Sequence, residues 1–298
     1  MTDFLQLCFA GLALGARYAL VALGFVVIYK ATGVINFAQG AFVALGAYLA
    51  FNFRQTWGLP FAVSLVLAVL VGASIGAGTE RLLLHRMVGR PLFALIMMTV
   101  GILFVLNEVI TWIWGQRTLN LGDPWGQDKV TVGDVVLPVK DLWTLGLAAV
   151  VLAGFFAFFR WSDLGLAMRA TALDQEAAMA RGVDVKRVFT LSWAVSAGVA
   201  ALAGVTLAAG PAALSPGIWL IALAAFPAMI LGGLDSPGGA VIGGLLIGVV
   251  QTLTAGYQPQ HLPWLGESFH VIMPYVVMIA ILMVRPYGLY GTKEVVRL

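Results

Sequence analysis

Charged residues are scarce in this sequence. Asp, Glu, Lys and Arg make up 10% of the 298 residues, against roughly 25% in an ordinary soluble domain. Hydrophobic residues make up 61%, and the mean hydropathy is +0.96. A soluble core cannot absorb that much apolar surface, so the composition excludes an ordinary soluble protein. It indicates a chain whose solvent is lipid.

Cysteine and histidine are also rare. The single cysteine, Cys8, excludes a disulfide within the chain. The three histidines, His85, His261 and His270, lack metal-ligand spacing, and we expect no metal and no other cofactor in this chain. The sequence has no G-x-x-x-x-G-K-[ST] motif, so it has no P-loop for ATP phosphates. Basic residues in such a chain typically mark cytoplasmic loops, so the net charge of +3 does not point to nucleic acid.

Long apolar runs take the place of charge. Several are about 20 residues long, the length of a membrane-spanning helix, and they do not alternate as barrel strands do. The sequence therefore predicts an all-α, polytopic helical membrane protein with a single transmembrane domain over residues 1–298. The predicted spans, eight clear and one short, are 4–29, 37–53, 61–82, 92–114, 142–160, 188–210, 218–233, 238–256 and 268–284. The short run 37–53 predicts a broken or re-entrant segment near 33–40.

Lysine and arginine predict the orientation. Loops 81–91 and 160–187 and the C-terminal tail, with Arg285, Lys293 and Arg297, are basic, whereas loops 115–141 and 257–267 are not. The positive-inside rule places the first group in the cytoplasm and the second outside. The N-terminus lies outside if 37–53 spans fully, and inside if it re-enters. That alternative stays open at the level of sequence.

The loop before the fifth apolar run alternates polar and apolar residues. In "DKVTVGDVVLPVKD" (128–141) the alternation surrounds Gly133-Asp134, a dipeptide typical of tight turns. The stretch predicts a small hairpin, which we interpret as an ordered cap on the loop.

A polar interruption, "KATGVINFAQGAF" (30–42), separates the first two apolar runs. Backbone groups at membrane depth survive only beside protein or water. Asn36 and Gln39, next to Gly40, can donate and accept hydrogen bonds without charge, which suits a pathway that passes a zwitterion. The first interpretation is therefore the lining of a translocation pathway. The second is a cytoplasmic turn in which the polar residues cap helix ends.

A second interruption occurs in "LGGLDSPGGAVIGGLLIGVV" (231–250), where Asp235 and Ser236 separate apolar runs. The pattern Gly-x6-Gly-Ala occurs at 33–41 and again at 232–240. Interrupted segments in corresponding positions of two halves indicate a transport pathway, so a weak internal repeat is one interpretation. A capped cytoplasmic turn is the other.

Two charges lie inside predicted spans. Arg17 lies in the middle of the first span, and Glu108 lies toward the outer end of the span 92–114. A charge at the bilayer centre costs roughly 2.5–3.5 kcal/mol on insertion scales, so both should face the bundle, a wet cavity or a partner. Three alternatives are open for Arg17 and Glu108: the two side chains pair with each other, each pairs with another residue, or they contact a transported solute.

The longest predicted cytoplasmic segment contains strong helix formers. "ALDQEAAMAR" (172–181) followed by Gly182 predicts a short helix at about 172–184. Its small residues, including Ala177 and Ala178, would lie at the surface and admit close approach by another protein, with Glu176 beside them. A solvated helix parallel to the membrane is the alternative.

These stretches together resemble a known family. "EAAMARG" fits the Glu-Ala-Ala-x-x-x-Gly pattern of ABC importer permeases. The chain as a whole is similar to LivH-type permeases, the membrane subunits of branched-chain amino-acid ABC importers. The stretches that carry the resemblance are 11–42, 169–185, 230–244 and "RPYGLYG" (285–291).

The resemblance implies a multi-pass subunit of the bacterial inner membrane that forms half of a translocation pathway for hydrophobic amino acids. Its implied partners are a second, related permease, two ATP-binding subunits that hold ATP and Mg, and a periplasmic substrate-binding protein. The helix near 172–184 would dock on an ATPase. Asn36, Gln39, Gly40, Glu108, Arg17, Asp235 and Ser236 are the candidate pathway residues.

Other functions remain as alternatives. The same ABC role with urea, amides or organic acids is one, and a stand-alone secondary transporter is another, which would need an intramembrane carboxylate near the midplane. An intramembrane hydrolase is the third, because G-x-S-x-G surrounds Ser74. That motif lies in an apolar helix with no strand before it, so we expect a non-catalytic chain.

Overall fold

The computed structural model describes residues 2–87, 90–126, 128–133, 135–209, 214–266 and 268–292. Lys293 and Arg297 of the basic tail, and Asp134 of the predicted hairpin, lie outside the described residues. The helices are α1 (Thr2–Thr32), α2 (Gln39–Phe51), α3 (Phe61–Leu82), α4 (Leu92–Trp114), α5 (Val139–Trp161), α6 (Asp163–Leu173), α7 (Gln175–Ala180), α8 (Val185–Ala208), α9 (Ile221–Gly232), α10 (Pro237–His261) and α11 (Phe269–Val284). Two short strands, β1 (Lys129–Val132) and β2 (Val135–Pro138), separate α4 from α5.

Six helical segments in the described part of the chain are long and apolar enough to cross a membrane. They are Asp3–Thr32, Phe61–Met87, Leu92–Trp114, Val139–Trp161, Val185–Ala208 and Pro237–His261, and Pro216–Gly232 and Phe269–Val284 are shorter apolar segments. The prediction of an all-α, polytopic membrane protein is confirmed. The short run 37–53 corresponds to α2 followed by one π-helical turn, Asn52–Thr56.

Proline and glycine set several helix ends. Pro60 and Pro91 directly precede α3 and α4 in extended backbone, which suits residues that cannot donate a backbone hydrogen bond. Gly115 follows α4 with a φ of 79°, a conformation that glycine adopts without strain. These residues explain why the predicted limits 61–82 and 92–114 agree with the structure.

The chain divides into two compact units. Unit 1 comprises Met1–Val26, Trp125–Ala148 and Ala222–Leu298, and unit 2 comprises Val27–Pro124 and Ala149–Ile221. Each unit therefore draws on separate parts of the sequence. This division does not test the predicted single transmembrane domain over residues 1–298, which stays a prediction.

Glycines bring α1 and α10 together in unit 1. A Cβ added to Gly15 would lie 2.7 Å from the Leu245 Cα, and one on Gly248 would lie 2.2 Å from the Gly15 backbone nitrogen. Small residues of this kind let helix backbones approach closely in a membrane. The same unit holds the antiparallel pair β1–β2, in which Lys129 lies opposite Pro138, and the hairpin prediction is thereby confirmed.

Unit 2 encloses α2. Eleven of the thirteen residues of α2 are buried, because α8, α3 and α4 pack around it. A Cβ on Gly204 of α8 would lie 1.9 Å from the Val43 carbonyl oxygen, and one on Gly46 would lie 2.1 Å from the Ala201 Cα. The helix α2 is therefore a core element surrounded by protein, although its sequence is as apolar as a lipid-facing span.

Candidate functional site

The break between α1 and α2 is built by local capping. Thr32 ends α1, where its Oγ1 donates to the Ile28 carbonyl at 2.8 Å and accepts from the Val34 N–H at 3.2 Å. Gly33 follows with a φ of 71°, which turns the chain out of the helix. Asn36 Oδ1 then accepts from the Ala38 N–H at 3.0 Å, directly before α2. The predicted interruption near 33–40 is thus a six-residue non-helical segment, 33–38.

Asn36 and Gln39 belong to a buried polar network. Both side chains, and Ser196 of α8, are fully buried. Gln39 Oε1 accepts from Ser196 Oγ at 2.9 Å and from Asn36 Nδ2 at 3.4 Å, and Thr99 Oγ1 of α4 accepts from the Phe37 N–H at 3.2 Å. Gly40 is buried in the first turn of α2. The network holds the start of α2 against α8 and α4, which gives Gln39 a positioning role within unit 2.

A cavity of about 120 Å³ lies beside this network in unit 2. Its polar lining consists of Thr32, Asn36, Glu80, Thr99 and Gln175, and its apolar lining of Ile28, Val34, Leu84, Leu95, Phe189 and Trp193. The polar lining thus comes from the end of α1, the helix break, α3, α4 and α7, and the apolar lining comes from α1, the break, the turn after α3, α4 and α8.

Glu80 is the charged residue of the cavity lining, and sequence reasoning did not single it out. Its carboxylate is 2% exposed, it accepts a hydrogen bond from the Thr190 hydroxyl, and its Oε1 lies 3.5 Å from His85 Nδ1. The available signal was an acidic residue inside the predicted span 61–82. Glu80 lies near the end of that span, where an acidic residue is equally typical of a solvated helix end.

The segment between α5 and α8 contains two helices. Asp174 ends α6 and caps α7, because its carboxylate accepts from the Ala177 N–H at 2.9 Å. The helix predicted for about 172–184 is therefore the six-residue α7, Gln175–Ala180, and Gly182, with a φ of 84°, ends it. Glu176 and Ala177 are exposed as expected. Ala178 is buried at 5% exposure, so its predicted surface position is corrected.

Exposed apolar side chains lie on and next to α7. Leu173, just before the helix, is 89% exposed and Met179, within it, is 54% exposed, and Ala177 and Ala180 of α7 are exposed as well. Small and apolar residues that are exposed together form a surface that a partner protein can cover. We refer to Leu173, Glu176, Ala177, Met179 and Ala180 as the α7 surface.

One residue of α7 contacts both the end of α1 and the cavity. Gln175 Nε2 donates to the Ala31 carbonyl at 3.4 Å, and Gln175 lines the cavity together with Asn36. Ala31 also packs with Val185 and Phe189 of α8 in a buried cluster. Two features that the sequence presented separately, the helix break and the short helix, are therefore neighbours in unit 2.

Arg17 pairs with Asp141 in unit 1. Arg17 Nη2 lies 3.4 Å from Asp141 Oδ1 and 3.4 Å from Thr144 Oγ1, and both partners belong to the first turns of α5. The sequence had left a pairing of Arg17 with Glu108 open. The Glu108 side chain is exposed on α4, and the carboxylate beside Arg17 is that of Asp141.

Asp235 and Ser236 form a turn in unit 1. Ser236 Oγ accepts from the Gly239 N–H at 3.1 Å and caps α10, while the Asp235 carboxylate accepts from the Thr292 N–H at 3.2 Å. The Leu289 N–H donates to the Leu231 carbonyl at 2.8 Å. The turn and the segment 285–291 are therefore held together, which supports the capping interpretation for these residues. Their pathway role and the internal repeat stay predictions.

Comparison with known proteins places the chain in a family. Residues 7–282 match the family model described as "Branched-chain amino acid transport system / permease component". The chain belongs to this branched-chain amino acid permease family. The family assignment that the sequence motifs indicated is thereby confirmed.

Relatives of this permease align over nearly its whole length. The high-affinity branched-chain amino acid transport system permease protein LivH of Salmonella typhimurium is 31% identical over 98% of this chain and 97% of its own. BraD of Pseudomonas aeruginosa, with the same description, is 28% identical over 98% and 97%. The galactofuranose transporter permease protein YtfT of Escherichia coli is 27% identical over 91% and 76%.

One solved structure shares the fold of this permease. A chain of PsaBC from Streptococcus pneumoniae in complex with Fab superposes with a TM-score of 0.51, covering 96% of this chain and 94% of that chain. The sequence identity is 16%. The likeness therefore concerns the fold alone.

Replacing Gln39 with leucine is expected to destabilise this permease by about 1–3 kcal/mol. The change removes the acceptor of the fully buried Asn36 Nδ2, and a buried polar group without a partner costs roughly that much. The measurement is the unfolding temperature of the purified chain. Gln116→Leu is the matched control, since the exposed Gln116 side chain is within reach of water rather than enclosed by protein. Equal unfolding temperatures for Gln39→Leu and wild type would contradict a positioning role.

Proposed function

We propose that this chain is the membrane permease subunit of an ATP-driven importer for branched-chain amino acids, and that it forms half of the translocation pathway. The observation that carries the proposal is the contact of Gln175 with both the end of α1 and the cavity beside the helix break. A partner that moves α7 would therefore also move the residues of the break between α1 and α2. The names of LivH and BraD support the substrate class.

The α7 surface is the proposed docking site for an ATP-binding subunit. It is exposed, it contains small residues that admit close approach, and Leu173 and Met179 supply apolar contact area. Since the sequence has no P-loop, ATP and Mg would be held by two such partner subunits. A second, related permease and a periplasmic substrate-binding protein complete the proposed assembly.

The proposed orientation places α7 in the cytoplasm, as the basic residues of 160–187 indicate. The contact of Gln175 with Ala31 supports a cytoplasmic C-terminal end of α1, and with it an N-terminus on the outside. At the other end of α2, Gln55 Nε2 donates to the Leu121 carbonyl at 3.0 Å, in a loop assigned to the outside. These contacts support a full crossing for 37–53. The proposed location is the bacterial inner membrane, and the basic C-terminal tail supports a cytoplasmic C-terminus.

The candidate pathway residues have unequal support. Asn36 lines the cavity, so we retain it as the first candidate. Gln39 and Gly40 are enclosed by protein and act through the position of α2. For Arg17, the bond to Asp141 favours structural pairing. Glu108 is exposed on α4, so a role in the pathway would require a partner surface against that face.

Reconstitution tests this function. The chain, a second permease and two ATP-binding subunits from the same gene cluster are placed in liposomes with the cognate binding protein outside and ATP inside. Radiolabelled leucine should accumulate only when ATP and the binding protein are present. Competition with unlabelled valine, urea, an amide and a sugar then tests the substrate class. Uptake by the isolated chain, driven by an ion gradient alone, would instead support a secondary transporter.

A further inference from the structure

The cavity beside the helix break combines a buried carboxylate with an apolar surface. Glu80 and Asn36 belong to its polar lining, and Leu84, Leu95, Phe189 and Trp193 belong to its apolar lining. Gln175 is exposed and also lines the cavity, so the cavity meets the protein surface there. A small amphiphilic molecule would find both polar and apolar groups in this lining.

The Glu80 carboxylate has capacity to accept more hydrogen bonds. A carboxylate offers about four acceptor positions, and in the described part of the chain one donor, the Thr190 hydroxyl, fills one of them. His85 is the basic residue within ion-pair distance among the described residues, but its Nδ1 lacks hydrogen-bond geometry toward any of them. Buried charges in proteins are normally paired and hydrogen-bonded. A cationic nitrogen in the cavity would satisfy this requirement.

The size of the cavity limits the ligand. An engineered apolar cavity of about 150 Å³ binds benzene, and this cavity, at about 120 Å³, is slightly smaller. A branched five-carbon alkyl chain with one amino group has six non-hydrogen atoms, the same number as benzene. Anything larger must extend past Gln175 toward the surface.

We propose that this cavity binds a small aliphatic molecule carrying a primary ammonium group. The ammonium donates to Glu80 and to the Asn36 side-chain oxygen, while the alkyl chain packs against Leu95, Phe189 and Trp193. A metal ion fits less well, because hard cations require six or more oxygen ligands and most of this lining is apolar. A bound molecule would also contact Gln175, the first residue of α7.

The test is isothermal titration of the full chain in phosphatidylcholine nanodiscs with isoamylamine, with empty nanodiscs as the baseline for partitioning into lipid. Isoamyl alcohol, which has the same alkyl chain and no charge, is titrated in parallel at the same pH. We expect saturable binding of the amine and binding of the alcohol weaker by at least about tenfold, since charge-assisted hydrogen bonds are the stronger ones.

Variants assign the binding to the cavity. Glu80→Gln should weaken amine binding by at least about tenfold, whereas Asp163→Asn, which neutralises an exposed carboxylate of unit 2, should leave it unchanged. Leu95→Trp keeps Glu80 and fills the cavity, and it should also abolish saturable binding. Each variant is first compared with wild type by unfolding temperature, so that loss of folding is not read as loss of binding.

Three results would overturn the inference: no saturable amine binding, equal affinities for amine and alcohol, or amine binding unaffected by both Glu80→Gln and Leu95→Trp. Leucine is the final arm. Leucine binding that depends on Glu80 identifies a free amino acid as the ligand, while binding of the amine alone identifies amines. The amino-acid arm rests on the proposed function, but the amine titration does not involve transport. Failure of leucine uptake in liposomes and failure of amine binding are therefore separate outcomes.

Discussion

Replacing Gly204 with valine is expected to remove most of the folded protein from the membrane. Even a Cβ at this position would lie 1.9 Å from the Val43 carbonyl oxygen of α2, and the obstructing atom belongs to the backbone. Overpacking costs about 1–3 kcal/mol where side chains can adjust, so at least about 3 kcal/mol is expected here. Membrane abundance and unfolding temperature are the measurements.

Gly101→Val is the matched control for this experiment. Gly101 lies inside α4 of the same unit, and a Cβ there would meet nothing within 4 Å. Valine has a higher helix propensity than glycine, so the abundance of Gly101→Val should not fall below the wild-type level. If Gly204→Val accumulates and unfolds like Gly101→Val, then α2 and α8 do not pack as described.

Glu176→Lys is expected to uncouple the permease from its ATP-binding partners. Glu176 is exposed on the α7 surface. A partner surface complementary to this carboxylate would be positively charged, so a lysine at position 176 would meet a like charge. A cost of about 2 kcal/mol corresponds to roughly thirtyfold weaker association. Co-purification of the ATP-binding subunits and ATP-driven leucine uptake should both fall, while the membrane abundance of the permease stays constant.

Asp128→Lys provides the comparison for the charge reversal. Asp128 is exposed next to β1, in the loop that we assign to the opposite side of the membrane, so association with the ATP-binding subunits should be unaffected.

Gly182→Val tests the position of α7 by a second route, because Gly182 has a φ of 84° that valine adopts only with strain. Normal uptake in both Glu176→Lys and Gly182→Val would remove α7 from the coupling mechanism.

The sequence predicted local structure well where one or two residue types control it. Pro60, Pro91 and Gly115 set the limits of α3 and α4, and Gly182 ended a helix where predicted. The alternation around Gly133 predicted the β1–β2 pair. Such helix ends and turns depend on neighbours within a few residues, so the local sequence is enough to predict most of them.

Predictions about partners of side chains were less successful. Arg17 pairs with Asp141, a residue 124 positions away, and apolar periodicity gives no signal for that pairing. Ala178 is buried although its neighbours are exposed, because one face of this short helix packs against the protein while the other faces solvent. The start of α7 at Gln175 rather than near 172 follows from the carboxylate of Asp174, which caps this helix.

Composition and motifs by themselves determined that the chain is a helical membrane protein, that a polar break separates its first two spans, and that it resembles a permease of one family. These conclusions depend on free energies of transfer into lipid and on local backbone preferences, which add up residue by residue. Only the tertiary structure decided that α2 is enclosed by protein, that Gln39 binds Ser196, and that Glu80, Asn36 and Gln175 share a cavity. The physical reason is that packing of helices distant in sequence selects those neighbours, and a linear pattern of apolar residues fits many such packings equally well.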